Sequence, residues 1–246
     1  MNAAEKLGMS LELSVIMPAY NEERSIPAVV CAWMAALDRL KIDYEFLAYD
    51  DGSVDGTGIL LRELAARHPR LVVVSHANRG HGPTILSGYR DARGEWVFQM
   101  DSDGQVGPDA FEGLWSRRDR FDFLIGVRRT RGPAVARRVV TLASRVLVWM
   151  LFGRGISDVN SPYRLMRRSC LEAMLPAVPP NAFAPNVILS GLAARRKLRL
   201  YETGVAHVAR RTGSASLAGW RLWKTALRCF AETVRAAWAN RPGARG

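Results

Sequence analysis

Short apolar runs alternate with amphipathic stretches along the first half of the chain. Residues 13–18, Leu-Ser-Val-Ile-Met-Pro, form a mostly apolar run closed by proline, the pattern of a buried strand. Residues 26–40 then carry apolar side chains at helical spacing. Strand-like runs recur at 44–49, 71–75, 96–100 and 122–127, with helical stretches at 56–67 and 84–92 between them. Strands separated by helices predict right-handed βαβ units, and so a mainly parallel sheet covered on both faces. Beyond residue 128 the pattern changes. Gly132-Pro133 breaks the chain, and a basic helical stretch follows at 136–152. Further helices at 169–175 and 186–195 bracket a proline-rich turn at 176–180. Residues 198–208 read as one more strand, and 217–238 as an amphipathic helix. The expected fold class is α/β: a single Rossmann-like domain over residues 1–215, then an amphipathic C-terminal helix and tail over 216–246.

Composition narrows the class. The chain has 246 residues, 48% hydrophobic and 24% charged, which suits a folded protein with a full core and excludes disorder as its main state. Cys31, Cys170 and Cys229 are scattered, without CxxC or His-Cys spacing. They predict small core or helix residues in a reducing, cytoplasmic compartment. The net charge of +12 suits nucleic acid, an anionic membrane surface or an anionic small substrate, and does not choose among them. A nucleic-acid module has no support from motif: helix-turn-helix, RRM and zinc-finger patterns are missing. No basic-then-apolar leader opens the sequence. No run reaches the roughly 18 uncharged apolar residues that span a bilayer. The nearest, 139–152, is interrupted by Arg145, so the expected membrane relation is peripheral.

Polar clusters fall where the predicted strands end, the place where ligands collect in open α/β sheets. The first is Pro18-Ala-Tyr20-Asn-Glu22 and the second Asp50-Asp51-Gly-Ser-Val-Asp55-Gly-Thr57. Asn78-Arg-Gly80-His-Gly82 follows the third strand, and Asp101-Ser-Asp103-Gly-Gln105 the fourth. Glu22, Asp50, Asp51, Asp101 and Asp103 would thus line one crevice of an otherwise basic protein. Clustered carboxylates repel and call for a cation or a proton. Asp101 and Asp103 can present oxygens to one hard divalent ion, and Gln105 can add a carbonyl oxygen. Such a ligand set suits Mg²⁺ or Mn²⁺ bridged to substrate phosphates. Asp-Ser-Asp-Gly is also a good turn sequence, and placement beside the other clusters is what favours the metal reading. Asp55 and Thr57 read as loop and helix-capping residues, while one of Asp50 and Asp51 faces the crevice. Gly80-His-Gly82-Pro is neither a Walker A nor a dinucleotide fingerprint. It permits close backbone approach under a sugar or diphosphate, or it is a plain turn. The four histidines show no HxxxH or HExxH spacing, so zinc hydrolysis has no support.

These motifs, from Val15-Ile-Met-Pro-Ala-Tyr-Asn-Glu22 through Met100-Asp-Ser-Asp-Gly-Gln105, resemble family 2 glycosyltransferases of the GT-A fold. Within them the chain is most similar to dolichyl- or polyprenyl-phosphate hexose synthases. The second half resembles the family more loosely, through Gly126-x-Arg128, Arg137-x-x-x-Thr141, Asp158-x-x-Ser161-x-Tyr163-Arg164, and Glu202 through His207-x-x-Arg210. The resemblance implies that Pro18, Tyr20, Glu22 and Asp51 hold the donor nucleoside, with Gly80 beneath the diphosphate. It implies Asp101, Asp103 and Gln105 as metal ligands, and Arg128, Arg137 and Arg210 as groups gathering anionic oxygens of donor and acceptor. The expected activity is inverting transfer of a hexose from GDP- or UDP-hexose to a polyprenyl phosphate at the cytoplasmic membrane face. The same donor chemistry with a lipid-linked glycan or a soluble acceptor is the alternative, and a binding module without activity the other class. Departures lie on the acceptor side. Ser161-Pro-Tyr-Arg164 stands where the family often has Ser-Gly-Phe-Arg, Asn186 where it often has an acid, and Gly213-Ser-Ala-Ser216 is displaced by one position.

Two helices bear on the membrane. Trp220, Trp223, Leu227, Phe230, Val234 and Trp238 recur at three- and four-residue steps, with Arg221, Lys224, Arg228, Glu232 and Arg235 on the other face. Such a helix can lie in a membrane interface or pack on its own domain. The basic stretch at 136–152 suits an interfacial role beside Arg137.

Overall fold

The computed structural model describes residues 11–129, 142, 146, 148–153, 156–206 and 220–239. The chain alternates β1 (Leu13–Ala19), α1 (Ile26–Arg39), β2 (Tyr44–Asp50), α2 (Thr57–Arg67), β3 (Leu71–Ser75), α3 (His81–Asp91) and β4 (Trp96–Gln99). A short α4 (Phe111–Trp115) leads into β5 (Phe123–Arg129). After the helical residues 148–152 come β6 (Arg164–Arg167), α5 (Arg168–Met174), α6 (Pro185–Arg195), β7 (Leu200–Ala206) and α7 (Trp220–Ala239).

These strands make one seven-stranded sheet in the order β3-β2-β1-β4-β6-β5-β7. β1 pairs in parallel with β2 and β4, and β5 with β7. Successive side chains leave a strand on opposite faces, and the core divides accordingly. Val15, Met17, Phe46 and Phe98 face α1 and α4, where Trp33, Phe98, Phe111 and Tyr163 form an aromatic cluster with ring centroids 4.8–5.8 Å apart. Ile16, Leu47, Tyr49 and Val97 face the other layer, which holds α3, α5 and α6 and the buried Ala236 and Ala237 of α7. β1, β2 and β4 are buried on both faces, which is why their sequences run apolar without strict alternation.

The exception to the parallel sheet is β6, antiparallel to both β4 and β5. It was not foreseen. Its four residues are Arg-Leu-Met-Arg, so the apolar signal is two residues long. Its reversal matters for the site. Gln99 at the end of β4 pairs with Arg164, the first residue of β6. The segment before Arg164 therefore arrives at the edge where the parallel strands finish. α4 was also not foreseen, and α3 begins at His81 instead of Thr84. Gly82-Pro83 lies inside the first helical turn, where a proline's missing N–H has no partner to lose.

Most of the basic stretch at 136–152 lies outside the described residues. In its final turn Val148 and Phe152 are buried, whereas Trp149 and Met150 are 52% and 68% exposed. The amphipathic C-terminal helix does two things at once. Thr233, Ala236 and Ala237 are buried, while Leu227, Phe230 and Trp238 are exposed. Arg195 of α6 donates to the Ala237 and Leu151 carbonyls, tying α7 and the 148–152 turn to the domain.

Candidate active site

The loops after β1 and β2 are joined side by side. Asn21 adopts the left-handed region (φ 53), and its N–H donates to Ser53 Oγ (3.0 Å) while its Oδ1 accepts from Val54 N–H (2.9 Å). Glu22 N–H donates to Thr57 Oγ1 (2.8 Å), and Glu23 Oε2 accepts from Gly56 N–H (2.9 Å). Asp55 accepts from the N–H groups of Glu23 and Thr57. Partial burial would raise the Asp55 pKa, but these bonds outweigh it and hold the carboxyl below its ordinary value. Asp55 and Thr57 thus build the loop. Pro18 is buried in β1 beside Tyr49, and Tyr20 stands at the lip, 48% exposed.

Asp50 and Asp51 are both buried, with their oxygens turned to neighbouring loops. Asp50 Oδ1 accepts from Ser53 N–H (3.0 Å). Asp51 accepts from Arg79 N–H (2.8 Å) and Gly80 N–H (3.0 Å), with His76 Nδ1 at 3.4 Å. Asp51 therefore fixes the loop that enters α3. Gly80 in that loop has φ +90, and among the described residues no atom beyond its chain neighbours lies within 4 Å of where a Cβ would stand. That face of its Cα is open, while its N–H is taken by Asp51 and its carbonyl by Thr84. Gly82 is different: a Cβ there would sit 2.0 Å from the Ala182 carbonyl oxygen and 2.7 Å from that of Phe183. Backbone cannot yield as a side chain can. Gly82→Ala should therefore cost about 3 kcal/mol, lowering the melting temperature by on the order of 10 °C. Gly153→Ala, at φ +92 in open space, should cost about 1 kcal/mol. Equal melting temperatures for the two variants would refute the packing argument.

The fourth cluster closes the site. Ser25 Oγ lies 3.0 Å from both Glu22 Oε2 and the Ser102 carbonyl, linking the first loop to the Asp101–Asp103 turn. Asp103 Oδ1 accepts from Gln105 N–H (3.0 Å), and Gly104 has φ +69, so the segment is a true turn. The same turn lines an open cleft of about 320 Å³ with Asp101, Asp103 and Gln105, faced by Arg128 and walled by Pro162 and Tyr163. The turn and the cleft are compatible readings of one segment.

Asp101 is the anomalous group. Its carboxylate is a third exposed, yet Oδ1 is buried without a hydrogen-bond partner among the described residues, and His81 Nε2 lies 3.7 Å from it. Burial, then repulsion by Asp103, raise its pKa, against the pull of His81, Arg128 and Arg164. A buried acceptor without a donor, beside a second carboxylate, is chemistry that a hard cation relieves. Among the described residues no three His, Cys, Asp or Glu converge to hold a metal. Two carboxylates and an amide fit an ion that takes its remaining ligands from water and phosphate.

Arg128 is aimed by an acid that sequence reasoning left without a role. Its Nε and Nη2 donate to Asp158 Oδ2 (2.9 Å) and Oδ1 (3.1 Å), a planar fork. Burial pulls the Arg128 pKa down, but Asp158, and Asp101 and Asp103 beyond it, raise it on balance, so the guanidinium stays charged. The structure thus brings Glu22, Asp101, Asp103, Gln105 and Arg128 into one region, with Asp51 acting through the Gly80 loop. Arg137 and Arg210 lie outside the described residues. His81, Asp158 and Ser25 were missed. Only Asp158 carried a signal, the Asp158-x-x-Ser161 spacing.

The sequence matches the family described as Glycosyl transferase family 2 over residues 14–175. The chain belongs to that family. It is 32% identical over 213 residues to the undecaprenyl-phosphate 4-deoxy-4-formamido-L-arabinose transferase of Pseudomonas fluorescens, covering 85% of this chain and 61% of the relative. It is 32% identical over 206 residues to the protein of that name from Aeromonas hydrophila, covering 82% of this chain and 62% of the relative. The chain thus spans about three-fifths of the length of these curated relatives. Among solved structures, glucosyl-3-phosphoglycerate synthase from Mycobacterium tuberculosis, in complex with Mn²⁺, UDP and phosphoglyceric acid, superposes with a TM-score of 0.67. The match has 21% identity over 97% of this chain and 81% of that one. S. aureus TarS 1–349 in complex with UDP-GlcNAc gives a TM-score of 0.62 at 21% identity, over 93% of this chain and 67% of that one. The α/β sheet with its reversed strand is accordingly the GT-A fold of family 2.

Proposed function

We propose that the chain is an inverting glycosyltransferase that moves a hexose from a UDP- or GDP-sugar to a polyprenyl phosphate, with Mg²⁺ or Mn²⁺, at the cytoplasmic face of a membrane. The observation that carries the donor half is the Asp101–Asp103 turn, in which Asp101 Oδ1 has no hydrogen-bond partner among the described residues, facing the charged Arg128 across the cleft. The named activity of the curated relatives, on undecaprenyl phosphate, supports the polyprenyl-phosphate acceptor, although the sugar in that name is an arabinose derivative, a pentose. The Mn²⁺ and UDP in the mycobacterial neighbour support the donor half.

Pro18, Tyr20 and Glu22 would hold the nucleoside at the joined β1 and β2 loops, and Asp51 would act by fixing Gly80 beneath the diphosphate. Asp101, Asp103 and Gln105 would hold the divalent ion, which when bound neutralises diphosphate charge. In the transfer, an oxygen of the acceptor phosphate forms the new bond to the anomeric carbon while the bond to the β-phosphate oxygen breaks, inverting the centre. Negative charge builds on the departing nucleoside diphosphate, and Arg128, which lines the cleft with Asp101 and Asp103, would stabilise it. A phosphate acceptor is already ionised near neutral pH, so no strong general base is needed. Arg137 and Arg210 would gather the acceptor's oxygens.

Turnover tests this directly. With a panel of nucleotide sugars and Mg²⁺ or Mn²⁺, nucleoside diphosphate release should require both metal and polyprenyl phosphate. Release without a lipid acceptor would replace the acceptor half, and no metal-dependent binding or release would end the enzyme reading.

Peripheral association with a membrane has its own test. Among the described residues no helix is long and apolar enough to cross a membrane. α7 exposes Leu227, Phe230 and Trp238, with Arg228 and Arg235 also at the surface. Vesicles with anionic lipid should carry the protein in flotation. Replacing all three apolar residues by serine should weaken binding by at least about 1,000-fold, since each buried side chain is worth about 1.5 kcal/mol or more. Unchanged flotation would refute a role for α7.

A further inference from the structure

Arg164 is completely buried. Nε donates to the Ser161 carbonyl (2.8 Å), and Nη2 to the same oxygen (2.6 Å) and to Val159 (3.3 Å), while Nη1 donates to the Asn186 carbonyl (3.2 Å). Among the described residues no carboxylate stands within ion-pair distance of it. Burial lowers its pKa, with Tyr89, Asp158 and Asp101 acting against that at longer range. The guanidinium also lies over the Phe123 ring, 5.7 Å from its centroid. A buried guanidinium held by carbonyl groups and one ring face, with no carboxylate beside it, is costly unless its charge is further compensated. A neutral donor would satisfy the same carbonyls.

What those carbonyls belong to explains the charge. Ser161 Oγ donates to the Gly126 carbonyl (2.6 Å), two residues before Arg128 on β5, and Ser161 N–H donates to the Asp158 carbonyl. Ser190 Oγ of α6 donates to Val159 (2.8 Å). Arg164 is the centre of this knot. One end of the tied segment is Asp158, which forks Arg128; the other is Pro162-Tyr163, the cleft wall. The reversed β6 places Arg164 opposite Gln99, two residues before Asp101.

We propose that Arg164 is a positioning residue of the transfer, which fixes the 158–163 segment and so the aim of Arg128, and whose charge is compensated by the donor's diphosphate. This rests on the donor site proposed above. Arg164 touches no substrate; it acts through Asp158 and through its field.

Two variants divide the roles. Arg164→Lys keeps the charge but cannot make the planar fork, and Arg164→Met loses both. Calorimetric binding of UDP and of GDP in EDTA reads the field without metal or turnover, and kcat reads the aim. For Lys, binding should stay within twofold of wild type while kcat falls by at least about 30-fold. For Met, binding should also weaken by about tenfold. A purely structural role predicts that both readouts fall together, in step with the melting temperature. Identical Lys and Met variants, or a folded Met variant with kcat within threefold of wild type, would overturn the proposal. Should the Met variant not fold, a cycle of Arg164→Lys with Asp158→Asn carries the test. The double variant should be no slower than the slower single, whereas additive losses would count against a shared route to Arg128. A wild type that binds nucleotide but transfers no sugar would sink the proposed function, with the EDTA comparison still judging Arg164. An active wild type with indifferent variants would sink this inference alone.

Discussion

Asp103→Ala should abolish metal-dependent nucleoside diphosphate release, with kcat down by at least about 1,000-fold, on the order of 4 kcal/mol of lost transition-state stabilisation. The fold should survive. The side chain accepts from Gln105 N–H at the partly buried turn, a bond worth about 1 kcal/mol. The activity loss is larger because Asp101 and Asp103 would act as a pair: one carboxylate left on its own holds a hard ion poorly, and the buried Asp101 Oδ1 loses the cation that would relieve it. Asp103→Asn keeps an oxygen without the charge and should fall between, with a higher metal concentration needed for half-maximal rate. The checks are release rates across a Mg²⁺ and Mn²⁺ titration, with circular dichroism and thermal melts on the same samples. Unchanged turnover in Asp103→Ala would refute the metal assignment.

The parallel half of the fold was legible because it is built from long, regular signals. β1 to β4 and α1 to α3 follow the apolar runs closely, and the strand-end clusters fall at one edge as expected. β6 was hidden because a strand whose ends are both arginine has almost no hydrophobic signature. It is held by its neighbours' hydrogen bonds, a tertiary fact with no local trace. The same strand hid Arg164, since nothing local distinguishes a buried arginine from a solvated one.

Within the site, residue types were legible and their partners were not. Asp51 was expected at the crevice, and both its oxygens are taken by the Arg79 and Gly80 N–H groups, which a sequence cannot show because the loop comes from 28 residues away. Gly80 and Gly82 looked alike as a glycine pair. One owes its identity to a positive φ in open space and the other to a carbonyl from the segment before α6. Arg128 was found by its resemblance, whereas Asp158, thirty residues on, is what makes it a directed charge.

That pairing sets the second large effect. Arg128→Met should lower kcat by about 100- to 1,000-fold, the scale for removing a group aimed at developing charge. It should also destabilise the protein, because Asp158, 10% exposed, is left as an unpaired carboxylate. Breaking a buried pair costs about 3 kcal/mol or more, and the 30% exposure of Arg128 discounts that to about 2 kcal/mol. Two explanations of the lost rate are then open, a missing charge or a loosened wall. Adding Asp158→Asn separates them. The neutral amide no longer needs a cation, so the Arg128→Met/Asp158→Asn protein should regain most of the lost melting temperature. If Arg128 acts on the departing diphosphate, turnover should stay as low as in the single variant. If rate returns with stability, Arg128 is a prop for the 158–163 segment and the positive charge facing Asp101 lies elsewhere. Turnover beside thermal melts for the three proteins decides between these.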